Sequence, residues 1–182
     1  MQSELAATSW WGRVMTSPAA CAPPRRFRPA GPILEARLES SGPFNTNSLR
    51  GRSAAQKAGI RYERKVLKEL SAEFPGEFIP SQWFRFDDGS PSIRWCQVDG
   101  LRVAPTRVTI FEVKSSFCAE AGYQLRHLYL PVVRNVYPTL PVDLVVICKT
   151  FDPNVAFPEA YSIIDHLSRV VPETICVLPW RL

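Results

Sequence analysis

The segment 108-VTIFEVKSS-116 decides how the chain is read. Residues two apart in a strand share a face. Val108, Ile110, Glu112 and Lys114 therefore fall on one side, and Thr109, Phe111 and Val113 on the other. Both faces begin apolar, the pattern of a central strand covered on both sides. On one face the apolar series then gives way to an acid and a base. Charge in such a place requires a partner, a metal or a substrate, because unpaired buried charge is costly.

Upstream, IRWCQVDG (93–100) and LRVA (101–104) run to a turn at APTR (104–107), so they form a hairpin with this strand. Twelve residues separate Asp99 from Glu112, and Asp99 lies at the point where the first hairpin strand meets Gly100. An Asp-Gly pair there is read equally well as a bulge or turn. Further upstream, EFIPSQWFRF (77–86) is strand-like and DDGS (87–90) is a turn.

The ordered domain is expected to span residues 51–182. It opens on a capping box, Ser53 with Gln56, followed by KAGIRYERKVLKEL and a stop near Phe74-Pro75-Gly76. Leu67, Leu70 and Phe74 mark the inner stripe of this helix, and stepping back four residues puts Glu63 on it. Arg61, Arg64, Lys65 and Lys68 fall on other faces. Downstream, CAEAGYQLRHLYL (118–130) is predicted to be a helix ended by Pro131. PVDLVVICKTF (141–151) is the best buried strand. PEAYSIIDHLSRV (158–170) is predicted to be a helix with Pro158 at its first turn, and ETICVLPW (173–180) a last strand. Residues 1–50 read as a Pro- and Arg-rich tail with a short helix around ILEARLES (33–40).

With 182 residues and 46% hydrophobic content the chain suits one soluble domain plus extra length. No apolar run approaches the roughly 18 residues of a membrane span. The five cysteines, at 21, 96, 118, 148 and 176, show neither disulfide nor CxxC zinc spacing, so isolated thiols in a cytoplasmic setting are expected. With only His127 and His166 available, any chemistry should be led by carboxylates. The net charge of +5 is uneven: residues 1–50 and 51–75 each carry +3, and the remainder −1. A basic excess on a tail and one helix is the kind of asymmetry that suits a polyanion partner.

Glu63, Asp99, Glu112 and Lys114 admit two readings on spacing alone. In one they are structural ion pairs, Lys114 with Asp99 or Glu112, and Glu63 with Arg61 or Arg64. In the other, three converging carboxylates, which repel unless protonated or bridged by a cation, hold Mg²⁺ or Mn²⁺ beside a lysine. Such a set suits hydrolysis of a phosphodiester.

Asp99 followed by Glu112-Val113-Lys114, within VDGLRVAPTRVTIFEVKSS (98–116), resembles the D–(n)–ExK signature of the PD-(D/E)XK, or restriction-endonuclease-like, nuclease superfamily. AGIRYERKVLKEL (58–70) is similar to that family's first helix, with Glu63 in the place of its inward Glu. The likeness covers about residues 53–150, and Val98 stands where the motif's leading Pro would be. The resemblance implies an α/β fold with a mixed central sheet flanked by helices in the order αβββαβ. It implies a metal-dependent deoxyribonuclease, with Mg²⁺ or Mn²⁺ on Asp99, Glu112 and the Val113 carbonyl, and Glu63 bound directly or through water. Lys114 would activate the attacking water. Gln124 matches the Gln that some members carry in a Q-x-x-x-Y arrangement. Tyr129, five residues on rather than four, is expected to face elsewhere on the helix. DNA is the implied partner, contacted by Lys57, Arg61, Arg64, Lys65 and Lys68, with Arg85, Arg94 and Arg102 as further candidates from the hairpin. A homodimer or a larger DNA-processing complex, as in phage or prokaryotic systems, fits the small size. The alternative is a non-catalytic nucleic-acid-binding or assembly module on the same fold. Trp83, Phe84, Phe86 and Trp95 read as core, although an exposed one would suit stacking on an unpaired base.

Overall fold

A computed structural model describes residues 14–15, 27–43, 51–152 and 160–180. Its strands are β1 (Val14–Met15), β2 (Glu35–Glu39), β3 (Phe78–Pro80), β4 (Trp83–Asp87), β5 (Arg94–Gln97), β6 (Gly100–Ala104), β7 (Arg107–Ser116), β8 (Val142–Thr150), β9 (Tyr161–Ile163) and β10 (Ile175–Pro179). Its helices are α1 (Ala54–Glu73), α2 (Ala119–Gln124) and α3 (Leu130–Val136), the last two joined by a π-helical turn, Leu125–Tyr129. A 3₁₀ turn covers Leu167–Arg169.

The main sheet has the order β1-β9-β10-β8-β7-β6-β3. Its centre is parallel, β7 with β8, β8 with β10 and β10 with β9, while β6, β3 and β1 join antiparallel. A mixed α/β architecture is thus observed, with helices on both faces. β7 and β8 lie at its centre, and the faces of β7 separate as its alternation requires. Val108 and Ile110 enter the core shared with α2, the π turn and α3. Phe111 and Val113 enter the other, built on Tyr62, Val66, Leu67 and Leu70 of α1. Fully buried aliphatic side chains of this kind contribute about 1.5–3 kcal/mol each. Helix α1 starts as its sequence requires. The Ser53 hydroxyl accepts from the Gln56 N–H at 3.2 Å, and the Gln56 side chain accepts from the Ser53 N–H at 2.9 Å.

A second sheet, β2-β4-β5, forms an arm. It is the distal half of one long hairpin, since β3 and β4 run in one direction and β5 and β6 return. The hairpin bends where Ser81 adopts φ 56°, a left-handed conformation unusual for serine. The bend is held by Ser81 N–H to the Asp99 carbonyl (2.7 Å), Val98 N–H to the Gln82 carbonyl (3.0 Å) and the Gln97 amide to the Ser81 carbonyl (3.1 Å). Gly100 opens β6 directly after the bend. A Cβ there would lie 2.6 Å from the Phe78 ring, so the Asp-Gly pair answers to a close approach between strands.

Three segments differ from their sequence reading. Residues 35–39, assigned to a helix in the tail, form β2 and pair with β4. The helix-forming residues of EARLE yield to a long-range ladder, and the Asn135 amide of α3 accepts from the Ala36 N–H (2.8 Å) and donates to the Ile33 carbonyl (3.2 Å) on the strand's outer edge. Pro131 does not end its helix. It sits in the first turn of α3, where a missing N–H is tolerated, directly after the π turn has shifted the bonding pattern. In the third segment, read as a helix over 158–170, the described residues from 160 on form β9 and the 3₁₀ turn instead, because Tyr161–Ile163 adds to β10 in parallel. Pro158 and most of residues 1–50 lie outside the described residues. Among those described, no helix is long and apolar enough to cross a membrane.

Candidate active site

Four elements meet where the hairpin bends. The Asp99 side chain, half-buried at the bend, accepts from the Val113 backbone N–H at 2.8 Å. This bond ties the β5–β6 junction to β7 between the two charged residues of that strand. Glu112 is 1% exposed and forms an ion pair with Lys114. Its other oxygen, Oε2, is buried and has no hydrogen-bond partner among the described residues. Lys114 keeps a third of its side chain exposed, so its ammonium links the buried acid to solvent. Glu63 approaches from α1, close enough for the charges of Asp99 and Lys114 to act on it.

The electrostatics follow from three acids sharing one lysine. Burial pushes Glu112 up to about 8, the charge of Asp99 adds to this, and Lys114 offsets it in part. Burial and then Asp99 likewise raise Glu63 to about 7. Burial raises Asp99 as well, against the pull of Lys114 and the Val113 N–H. The Lys114 ammonium is held well above its ordinary range, because Glu112 and Asp99 outweigh its own burial. At neutral pH the cluster therefore retains protons that ordinary carboxylates would release. A cation would relieve the same repulsion.

Gln124 ends α2 and donates from Nε2 to the Tyr129 hydroxyl at 3.3 Å. This corrects the expectation that Tyr129 faces elsewhere. Residues five apart share a face in a π helix, and the π turn spans Leu125–Tyr129. Tyr129 is 4% exposed, and after burial the charges of Glu112 and Asp99 are the largest influences raising its hydroxyl. It belongs beside the carboxylates, and spacing alone missed it. The signal available in the sequence was Pro131, which an uninterrupted α-helix would not tolerate at that depth.

The basic residues of α1 are arranged as expected for a solvated face, with Arg61, Arg64, Lys65 and Lys68 exposed and Lys57 half-buried. Of the hairpin arginines, Arg94 pairs with Asp88 (2.7 Å), and Arg102 bonds Glu77 (2.8 Å) while lying over the Phe74 ring (4.0 Å). Both are engaged in structure. Arg85, half-buried, has no ion pair among the described residues and lines a hollow on the arm's other face. Trp83, Phe84 and Phe86 are buried, whereas Trp95 is half-buried.

Among the described residues no three His, Cys, Asp or Glu side chains are arranged to hold a metal ion. A hard divalent cation does not require three, because Mg²⁺ is commonly bound through one or two carboxylates with water completing the shell. Asp99 and Glu112 supply two carboxylates close enough for their charges to act on each other, and among the described residues Glu112 Oε2 is an acceptor without a donor. The residues present thus fit a two-carboxylate site. Comparison of the chain with models of known protein families, with curated proteins and with solved structures finds no match.

Proposed function

We propose that this chain is a Mg²⁺- or Mn²⁺-dependent deoxyribonuclease of the restriction-endonuclease-like kind. The observation that carries the reading is Glu112: a carboxylate 1% exposed, with one oxygen on Lys114 and the other unpartnered, amid two further acids. A structural ion pair would satisfy its buried acceptors, since an unmet one costs about 1–3 kcal/mol or more. A site for a ligand leaves one open.

Asp99 and Glu112 would hold the ion, with Glu63 behind them and the Val113 carbonyl as a further ligand. When bound, such an ion supplies Lewis-acid chemistry at a phosphodiester. The protein's own groups do the rest. Lys114, at the solvent-facing edge of the cluster, holds and orients a water against the acids, and its charge opposes the charge that grows on the phosphate. Without the ion, burial and mutual repulsion keep protons on Glu63 and Glu112 near neutral pH, and a cation held there would take their place. Gln124 and Tyr129 close the inner wall with hydrogen-bonding groups. The basic stripe of α1 contacts phosphates away from the reacting one.

The test is cleavage of labelled single-stranded, duplex and branched DNAs with Mn²⁺, comparing wild type with Lys114→Ala. Loss of cutting by about 10²–10⁴-fold in a folded variant is expected, the range for a positioned acid–base or charge-stabilising group. Equal cutting by both proteins overturns the role of Lys114. Absence of cutting by either favours the non-catalytic nucleic-acid module.

A further inference from the structure

The arm carries a face that the cluster does not use. In the β2-β4-β5 sheet, Arg37 stands opposite Arg85, and Arg85 opposite Trp95. The side chains of alternate residues, Phe84 and Phe86, are buried in the main core. The other face includes a shallow hollow of about 220 Å³ lined by Glu35, Arg37, Arg85, Phe86, Asp87 and Ile93. Ile93 is 42% exposed. Towards the bend, a Cβ on Gly42 would lie 2.2 Å from the Trp83 ring, so backbone covers that indole. What remains is an apolar column, exposed Ile93 and half-buried Trp95, beside a basic pair, half-buried Arg85 and exposed Arg37.

Like charges directly opposite on paired strands are destabilising unless an anion lies between them. Arg37 has a surface ion pair with Glu39 at 3.2 Å, worth little and easily exchanged. Among the described residues no ion pair engages Arg85. Glu35 and Asp87 form the row nearer the arm's tip, where the Asp87 carboxylate accepts from the Gly89 N–H at 2.8 Å. The acids are thus distal, and the arginine row lies on the side of the site. From Trp95 to Asp99 is four residues, at most about 13 Å along a strand.

We propose that this face is a platform for an unpaired nucleic-acid strand, with bases against Trp95 and Ile93 and phosphates on Arg85 and Arg37. Aromatic side chains flanked by cations are the chemistry that holds single strands, because every base has a face to stack while a duplex hides it. The inference rests on the nuclease reading, since it names the strand that the site would receive.

The test is fluorescence anisotropy of a labelled oligothymidylate with the full chain in EDTA, where no cleavage intervenes. Trp95→Ala should weaken binding by roughly fivefold to a hundredfold, the value of one stacked base. Arg85→Ala should flatten the dependence of log Kd on log salt by about 0.7, one single-strand phosphate contact. A duplex of equal length should be indifferent to Trp95→Ala. Should Trp95→Ala not fold, Trp95→Phe keeps the packing, and quenching of tryptophan fluorescence by the oligonucleotide should fall in it. Unchanged oligothymidylate affinity in a folded Trp95→Ala protein, equal loss for the duplex, or equal quenching in Trp95→Phe overturns the platform. Binding of this pattern without cleavage under any metal sinks the nuclease reading alone. Cleavage by a Trp95→Ala protein of unchanged affinity sinks the platform alone.

Discussion

Asp88 at the tip of the arm and Glu112 at the centre of the main sheet are almost equally hidden, 2% and 1% exposed, yet their surroundings treat them in opposite ways. Asp88 accepts from the Ala30 N–H (2.7 Å), the Ser90 N–H (3.2 Å), the Ser90 hydroxyl and Arg94 (2.7 Å). Burial alone would raise its pKa, but these donors outweigh it and hold the carboxyl at about 2. Glu112 has Lys114, two neighbouring acids and one oxygen with no partner, and burial holds it at about 8. The first is a carboxylate the fold needs ionised, pinning residues 28–30 to the β4–β5 turn. The second is one the fold tolerates at a cost. Where a protein leaves a buried acid dissatisfied, the site is a candidate for function.

The sharpest way to break this contrast is Glu112→Gln. Cleavage should fall at least about a thousandfold, since the residue is asked to bind the ion and to face Lys114. Stability should move the other way. The folded pKa of Glu112 is raised from 4.5 to about 8, so its contribution is fully present below pH 4.5 and lost as pH rises through 8. Wild-type stability should therefore decline across that window, and Glu112→Gln should flatten the decline in pH-dependent melting. A variant that melts lower at pH 8 than wild type would contradict the assignment.

Asp88→Asn should do the reverse, leaving cleavage intact and lowering stability. The full shift corresponds to roughly 2.5 kcal/mol, but the arm tip lies close to solvent, so a loss of about 1–2 kcal/mol is expected. The sign of its pH dependence is also opposite. The folded pKa is depressed from 3.8 to about 2, so the contribution is present above pH 3.8 and lost as pH falls through 2. Denaturant titrations at pH 6 and pH 2.5 should differ less in the variant than in wild type.

Mn²⁺ or Mg²⁺ should then stabilise one region and not the other. At tenfold excess over Kd the gain is about 1.4 kcal/mol, a few degrees in Tm for a chain this size. Thermal shift should show it in wild type and Asp88→Asn near pH 8, and EDTA should reverse it. A shift of equal size in Glu112→Gln would place the ion elsewhere. The smallest effect is reserved for Ser90→Ala, which removes one of Asp88's donors and should lower stability by about 1 kcal/mol with cleavage unchanged.

The parts of the molecule governed by short-range rules were legible in the chain. The Ser53–Gln56 cap, the alternation of β7 and the hairpin it closes depend on residues a few positions apart, and all are observed. Residues 35–39 and 161–163 were misread because their strands exist only through partners β4 and β10 far along the chain, which outweigh local helix preference. The candidate site divides the same way. Glu112 and Lys114 stood out as an interruption of one strand face, and Glu63 as an acid on an apolar stripe. Tyr129 did not, because a single π turn rotates everything after it, and no count of 3.6 residues per turn anticipates that. Sequence alone thus determined which residues carry charge, which face each takes on its own element, and that Glu112 and Lys114 share one. The tertiary structure decided that Asp99 reaches β7 through the bend at Ser81, that Tyr129 joins the carboxylates, and that Glu112 keeps an oxygen without a donor. Those are outcomes of which surfaces meet, and desolvation, unlike periodicity, is a property of the meeting.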